Sequence, residues 1–229
     1  TESQATLTTG GGGQTPRVKQ FRWWRKTTSA GGRFNTLTRF LQPAEIRGEG
    51  ILFLEKTRDE NEVLMYLPAY KKIRRVESQA QSGSFMGSEF SYSDIASPHL
   101  EDHQYKLLRE EPCPGAENAK LSCSVVEAKP ASDSVRERTG YSRTVNWVHP
   151  RSFMVVKAEC YGLDDTLVKK MESSQIREVD PAAHRWMAHR LRVENAKNAK
   201  FTELQFEQVK VNAGIADSVF SQANLAREK

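Results

Sequence analysis

Apolar and polar residues alternate along most of the chain, in runs of about 5 to 12 residues bounded by turn-forming residues. Long stretches with helical periodicity are scarce, and the helix candidates are parts of residues 93–104 and the segment SVFSQANLARE. The runs predicted to be β-strands are ATLTT, RVKQFRWWRKT, RFNTLTRFL, GEGILFLEK, EVLMYLPAYKKIRRV, YKLLREE, LSCSVVEAK, YSRTVNWVH, SFMVVKAECYG, TLVKKMESSQIREV, RWMAHRLRVEN and FTELQFEQVKVN.

The connections between these runs are short and polar. GGGGQTP is predicted to be a glycine-rich hairpin turn, and TRDEN, GLDD and ENAKNAK are similar turn candidates. Short connections favour antiparallel pairing of neighbouring strands. We therefore expect a mainly β protein with one large, strongly curved antiparallel sheet, forming a single domain over residues 1–229.

Two neighbouring strands are apolar on both alternating sets of residues, in GILFLEK and in EVLMYLPAY. A strand of this kind must be covered on both faces of its sheet. The segment SFMGSEFSYSDI follows directly after them, and it suits neither a buried helix nor a regular strand. Its glycines and serines allow bends while its aromatic side chains bury, so it is predicted to cover the sheet.

Composition indicates a folded, soluble domain. The chain has 229 residues and a mass of 25.9 kDa, with 38% apolar and 28% charged residues. The net charge of +5 and the pI near 9.1 permit attraction to acidic surfaces without identifying one. No apolar run is long enough to span a bilayer as a helix, and the residues after Thr1 do not form a signal segment.

The three cysteines leave two interpretations open. Cys113 and Cys123 flank PGAENAKLS, a turn-like insert between two predicted strands, so a hairpin would bring them together as a disulfide in an oxidising compartment. The alternative is three reduced thiols in a cytosolic protein. Cys160 stands alone in VVKAECYG.

Candidate chemistry is sparse. The sequence contains no nucleophile elbow and no phosphate-binding or dinucleotide-binding loop, so we expect no enzymatic activity and no cofactor. His99 and His103 have the spacing of metal ligands on one helical face, but HLEDH lacks the glutamate that follows the first histidine in zincins, and no metal is predicted. FRWWRK and KKIRRV resemble nucleic-acid stacking platforms, yet strand alternation explains them, and no nucleic-acid partner is expected.

Four segments together resemble the outer-membrane lipoprotein-sorting protein family, which is LolA-like. They are RFLQPAEIRGEGILFLE, NEVLMYLPAYKKIRRV, SFMGSEFSYSDI and GIADSVFSQANL, and the resemblance extends from about Leu7 to Leu225. Tyr66 and Pro68 resemble the Tyr-x-Pro of the family's central strand. The family's lid-contacting arginine has no clear counterpart among Arg47, Arg58, Arg74 and Arg75.

The resemblance implies a fold and a function. The fold would be an incomplete LolA/LolB-like barrel of about eleven strands, with short helices or loops covering the concave face. The function would be that of a periplasmic carrier or chaperone, matured by removal of a signal peptide, that binds acyl chains of lipoproteins or lipids for transfer to the outer membrane. An inner-membrane transporter and an outer-membrane acceptor would be its partners. The alternative is a periplasmic accessory protein of a lipid or hydrophobe exporter.

Apolar residues of the two-sided strands and of SFMGSEFSYSDI are the predicted ligand contacts. Aliphatic, aromatic and methionine side chains suit a variable acyl chain, although each is an equally good core residue. The predicted cavity and lid residues are Leu52, Leu54, Met65, Leu67, Phe85, Met86 and Phe90.

Overall fold

The computed structural model describes residues 1–28, 32–55, 61–96, 99–115 and 120–227. These residues form one thirteen-stranded antiparallel sheet, where the family resemblance implied about eleven strands. The strands are β1 (Glu2–Gly11), β2 (Gln14–Thr27), β3 (Phe34–Gln42), β4 (Gly50–Leu54), β5 (Glu62–Leu67), β6 (Lys72–Val76), β7 (His103–Pro112), β8 (Ser122–Pro130), β9 (Tyr141–Val148), β10 (Val155–Gly162), β11 (Leu167–Asp180), β12 (Arg185–Asn195) and β13 (Phe201–Lys210).

The sheet is a meander with one long-range pairing. Its strand order is β6-β5-β4-β3-β2-β1-β13-β12-β11-β10-β9-β8-β7, so the first and last strands pair in the middle of the sheet. Strands β6 and β7 are the two edges, and the described strands do not close into a barrel. The predicted mainly β, open antiparallel architecture is confirmed.

The connections follow the predicted turn chemistry with one exception. The glycine-rich segment between β1 and β2 is a hairpin turn, as predicted, whereas most of TRDEN lies outside the described residues. The run EVLMYLPAYKKIRRV, predicted as one strand, is two strands joined by a 3-10 turn over Pro68–Tyr70. The chain reverses there because Pro68 fixes its own φ and donates no N–H, and Lys71 takes a left-handed conformation at φ 49°.

Three short α-helices accompany the sheet: α1 (Tyr92–Ile95), α2 (Asp133–Thr139) and α3 (Gln222–Leu225). Helix α3 lies within the predicted candidate SVFSQANLARE, and helix α1 overlaps the start of the candidate at residues 93–104, but α2 was not predicted. Further 3-10 turns span Ala44–Ile46, Ser78–Ser82, Leu100–Asp102, Pro181–Ala183 and Asp217–Phe220. Within the described part of the chain, no helix is long and apolar enough to cross a membrane.

The apolar residues of β1 to β5, β12 and β13 form two cores on opposite faces of the sheet. The first, here called the cavity face, carries a cluster that includes Phe21, Trp23, Phe40, Phe53 and Phe206. Residues 84–95, here called the cover segment, pack onto this face through aromatic and aliphatic side chains. The buried residues that they contribute are Phe85, Phe90, Tyr92 and Ile95.

The C-terminal segment (residues 211–225) covers the opposite face of β3 to β5. Phe220 and Leu225 are buried there against Leu52, Leu64 and Tyr66. The guanidinium of Arg39 donates a 2.8 Å hydrogen bond to the carbonyl oxygen of Asn224, which ties α3 to β3. The prediction that both faces of these strands are covered is therefore confirmed, with a separate segment on each face.

A third apolar cluster lies among β8, β9 and β10 and includes the disulfide between Cys113 and Cys123. The bridge joins the end of β7 to the start of β8 across their connecting loop, as in the first of the two interpretations of the cysteines. Cys160 is a free, buried thiol. The bridge thus reinforces a hairpin that includes an edge strand.

Replacing Cys113 and Cys123 together with serine should lower the free energy of unfolding by about 2–3 kcal/mol, because the bridge restricts a short loop in the unfolded chain. Urea unfolding followed by circular dichroism measures the change. Reductant should destabilise the wild-type protein to a similar extent and leave the double variant unchanged. An equal effect of reductant on both proteins would mean that the bridge is not the cause.

Candidate functional site

The cover segment begins with a tight loop that places two phenylalanines against the sheet. Ser84 and Ser91 form an isolated antiparallel bridge, and the Phe85 amide donates a 2.7 Å hydrogen bond to the Phe90 carbonyl. The loop reverses at Met86 and Gly87, both of which have positive φ. Phe85 and Phe90 consequently point to the cavity-face core, where both are buried.

Polar contacts attach this loop to three strands of the sheet. Lys19 of β2 donates a 2.9 Å hydrogen bond to the Met86 carbonyl. The backbone amide of Glu89 donates a 2.9 Å hydrogen bond to the Thr202 hydroxyl of β13. The Glu89 carboxylate accepts a 3.0 Å hydrogen bond from the side-chain amide of Asn195, at the end of β12. The loop is thus held by hydrogen bonds at its periphery as well as by aromatic packing at its centre.

Asp94 attaches helix α1 to strands β9 and β11 of the sheet. Its carboxylate accepts hydrogen bonds from the Ser91 amide at 2.8 Å and from the Tyr141 hydroxyl at 2.9 Å. It also forms a 3.0 Å ion pair with Lys169 of β11, and the Asp94 side chain is only 4% exposed. A buried carboxylate is stable only when it is paired and hydrogen-bonded, as here. Asp94 therefore joins the cover segment to β9 and β11.

Two groups near Asp94, the Tyr141 hydroxyl and the Cys160 thiol, are poor acids and poor nucleophiles. Burial, together with the nearby Asp94 carboxylate, raises the pKa of Tyr141 well above its ordinary value. Burial also raises the pKa of the Cys160 thiol to about 12, with Asp94 as the second cause. A thiol with so high a pKa carries almost no thiolate at neutral pH. The cluster is suited to holding structure together rather than to covalent chemistry.

A cavity of about 1090 Å³ lies beside the cover segment, between α1, the central strands and the first part of the C-terminal segment. Its volume is slightly above the roughly 300–1,000 Å³ that is usual for small-molecule sites. Most of its wall is apolar. The apolar lining residues are Trp23, Phe34, Phe90, Ile95, Ala96, Met154, Val179, Trp186, Met187, Ala188, Leu191, Leu204, Phe206, Val211, Ala213 and Ile215.

The structure distributes the seven predicted ligand contacts over four environments. Phe90 lines the cavity. Phe85 lies in the adjacent core between Phe40 and Phe53, and Met65 and Met86 pack against the same cluster. Residues Leu52 and Leu54 belong to the core on the opposite face. Leu67, at the end of β5, is partly exposed.

Sequence reasoning missed the strands that form most of the cavity wall. Met187 and Leu191 of β12 and Leu204 and Phe206 of β13 face the cavity. Their spacing by two or four residues is the alternation that marks one face of a strand. The missing information was the β1–β13 pairing, which places these strands beside Trp23 of β2.

The histidines considered as metal ligands are not brought together by a helix. The segment Leu100–Asp102 is a 3-10 turn, and His103 begins β7. His99 is buried, with its Nε2 atom 3.7 Å from the Glu55 carboxylate. Among the described residues, no group of three histidine, cysteine or carboxylate side chains is arranged to hold a metal ion.

Solved structures share the fold of an open antiparallel sheet described above. A LolA superfamily protein from Nitrosomonas europaea is 20% identical and has a TM-score of 0.73, over 97% of this chain and 90% of that one. A domain from Vibrio parahaemolyticus that is named for outer membrane lipoprotein sorting is 25% identical, with a TM-score of 0.88 over 99% of this chain and 91% of that one. A DUF1329 family protein from Desulfovibrio piger is 26% identical, with a TM-score of 0.85 over 98% and 90% of the two chains.

A family model described as "Uncharacterized protein" matches residues 32–227, which is most of the chain. With the similar solved structures, this match shows that the chain belongs to the outer-membrane lipoprotein-sorting protein family. The family resemblance predicted from the sequence is confirmed. No curated protein shows a significant sequence match to the chain.

Replacing Asp94 with asparagine should lower the free energy of unfolding by about 3 kcal/mol, because the substitution leaves the largely buried Lys169 ammonium without its counter-charge. Urea unfolding provides the measurement. Asp165→Asn is the matched control: Asp165 forms a 2.8 Å ion pair with Arg143, but its side chain is 59% exposed. Water screens such a pair, so the control should change stability much less. Equal losses in the two variants would contradict the role assigned to Asp94.

Proposed function

We propose that this protein is a non-enzymatic carrier or chaperone of the cell envelope that binds acyl chains of lipoproteins or lipids in the cavity beside α1. The observation that carries the proposal is the apolar cavity of about 1090 Å³ on a LolA-superfamily sheet. Transfer of the cargo toward the outer membrane, from an inner-membrane transporter to an outer-membrane acceptor, is part of the same proposal.

Burial energetics support an acyl ligand. Each methylene group moved from water to an apolar wall contributes roughly 0.8 kcal/mol. A chain of ordinary length can therefore be held by the aromatic, leucine and methionine side chains of the cavity without any specific bond. Side chains such as Met154 and Met187 adapt easily to acyl chains of different shape.

The disulfide supports an exported location. Disulfides persist in oxidising compartments such as the periplasm and are rare in the cytosol. Cys113 and Cys123 form such a bridge, whereas the remaining thiol, Cys160, is buried away from oxidants. A periplasmic location fits this division and is the one that we propose.

The cover segment is the element that we propose to respond to cargo. Its Phe90 and Ile95 side chains form one wall of the cavity, so an acyl chain in the cavity would contact it directly. Phe85, in the same segment, is fully buried in the adjacent core, so a Phe85→Ser variant would test stability rather than binding. A substitution that tests binding must therefore lie on the part of the cavity wall that β12 and β13 form.

Native mass spectrometry of the purified protein, followed by solvent extraction, tests the function directly. A stoichiometric lipid or acylated peptide is the expected result and would name the cargo class. A mass without ligand that persists after incubation with lipids and acylated peptides would contradict a carrier role and favour the exporter-accessory alternative.

The variant Met187→Trp should narrow the cavity and weaken binding of a sixteen-carbon fluorescent fatty acid severalfold, because the larger side chain occupies part of the space that the chain needs. Titration of the fluorescent probe into each protein measures the change. Leu107→Trp is the matched control, since Leu107 is exposed on β7, outside the cavity wall. Similar losses in both variants, or none in Met187→Trp, would place the binding site elsewhere.

A further inference from the structure

The solvent-exposed part of the cavity wall lies at one edge of the sheet. Most of the described lining residues are buried or half-buried, and the exposed ones are Thr27, Arg185, Asn212, Ala213 and Gly214. Thr27 ends β2, Arg185 begins β12, and residues 212–214 follow β13. Because neighbouring strands are antiparallel in the order β2-β1-β13-β12, these positions lie at the same edge. The cavity therefore opens to solvent at this edge, here called the mouth.

The loop between β9 and β10 (residues 149–154) lies at the same edge. β10 pairs antiparallel with β11, and β11 with β12, so β10 begins on the side of the sheet where β12 begins. Met154, at the end of the loop, forms part of the cavity wall together with Val179 of β11. The preceding residue, Phe153, is outside the wall, and its side chain is 80% exposed. In the part of the chain that the structure describes, no other large apolar side chain is as exposed.

Hydrogen bonds hold this loop in a defined conformation. The Phe153 amide donates a 3.0 Å hydrogen bond to the His149 carbonyl, and the His149 amide donates a 2.9 Å hydrogen bond to the Met154 carbonyl. The Nδ1 atom of the buried His149 ring accepts hydrogen bonds from the backbone amides of Arg151 and Ser152, each at 3.2 Å. The ring of Phe153 is thus presented to solvent by an ordered turn.

The backbone conformation of Phe153 is unfavourable for an aromatic residue. Its φ is 55°, in the left-handed region that a bulky side chain enters only at an energetic cost. Packing within the protein does not offset this cost, because most of the ring is in water. A strained position that exposes a large apolar side chain is typical of a site that contacts another molecule.

We propose that the mouth docks onto a lipid bilayer and that Phe153 inserts between the headgroups and the acyl chains. This inference rests on the proposed function and names the surface through which cargo passes between the cavity and a membrane. An acyl chain that leaves through a mouth pressed against the bilayer avoids water, and exposure to water would be unfavourable for each of its methylene groups.

The residues around the mouth favour a bilayer over a protein partner. A protein interface needs a continuous, closely packed patch, whereas a fluid bilayer imposes no matching shape. The exposed wall residues at the mouth are small or polar, so Phe153 stands alone there as a large apolar group. Arg151, two residues before it, is also exposed, and a cation beside an aromatic ring suits the headgroup region of a membrane.

Sedimentation with sucrose-loaded vesicles of phosphatidylethanolamine and phosphatidylglycerol measures docking. Phe153→Ser should weaken vesicle binding by about tenfold, because serine lacks the apolar surface that phenylalanine buries in the bilayer. Leu163→Ser is the matched control, since Leu163 is 51% exposed but lies in the β10–β11 turn, at the opposite edge of the sheet. It should bind vesicles like the wild type. Equal binding by wild type and Phe153→Ser, or no binding by the wild type, would overturn the inference.

A fluorescent label reports contact with the bilayer directly. Cys113 and Cys123 are bridged and Cys160 is buried, so the variant Phe153→Cys has a single accessible thiol for the environment-sensitive label NBD. Its emission should rise and shift to shorter wavelength on the same vesicles, whereas the label in Leu163→Cys should not change. Unchanged emission from position 153 would contradict insertion.

The variant Phe153→Gly separates a docking role from a structural one. Glycine adopts the positive φ without strain, so this variant should be at least as stable as the wild type in urea while binding vesicles as weakly as Phe153→Ser. A clear loss of stability in Phe153→Gly would assign Phe153 to the support of the fold and would count against the inference.

Binding of the sixteen-carbon fluorescent fatty acid without vesicles distinguishes this inference from the carrier function. Phe153 is outside the cavity wall, so Phe153→Ser should bind the fatty acid like the wild type. Fatty-acid binding by a wild-type protein that does not bind vesicles would overturn docking alone. Failure of the wild type to bind the fatty acid would instead overturn the carrier function.

Discussion

An antiparallel sheet that is apolar on both faces and not closed into a barrel must be covered on both faces by other parts of its own chain or by a ligand. Strands β3 to β5 impose this constraint here, because Phe53 and Leu52 are both fully buried although they point to opposite faces. The cover segment meets the requirement on one face and the C-terminal segment on the other. Where the cover segment ends, toward β12 and β13, the described residues leave the cavity face incompletely covered, and the cavity lies there.

Local sequence patterns were sufficient to predict the sheet and to predict that both of its faces are covered. Alternation identified the strands, and the two-sided apolar character of GILFLEK required something on each face. The capping residues of α2, Ser132 before the helix and Gly140 after it at φ 74°, are typical of a helix. The sequence between them shows no apolar periodicity, because Val135 is the one residue of this short polar helix that is buried.

The cavity could not be predicted in the same way, because a cavity is a place where packing is incomplete rather than a pattern of residues. Its wall combines Trp23, Phe90, Met187 and Phe206, which are far apart in the sequence and are joined only by the β1–β13 pairing. Strand alternation assigns a residue to a face, but not to the part of that face that the cover segment leaves open. Phe85 and Phe90 illustrate the difference, since both are buried side chains of the cover segment and only Phe90 borders the cavity.

The C-terminal segment makes the rim of the cavity depend on the opposite face of the sheet. Residues 211–215 border the cavity. The same backbone continues to Phe220 and Leu225, which are buried on the opposite face of the sheet against Leu52 and Leu64. Lys26 and Arg39 fix the two parts of this segment through hydrogen bonds to the Ile215 and Asn224 carbonyls. A change that loosens Phe220 or Leu225 from their core therefore also removes support from the rim of the cavity. The stability of the opposite face and the geometry of the cavity are in this way properties of one continuous stretch of chain.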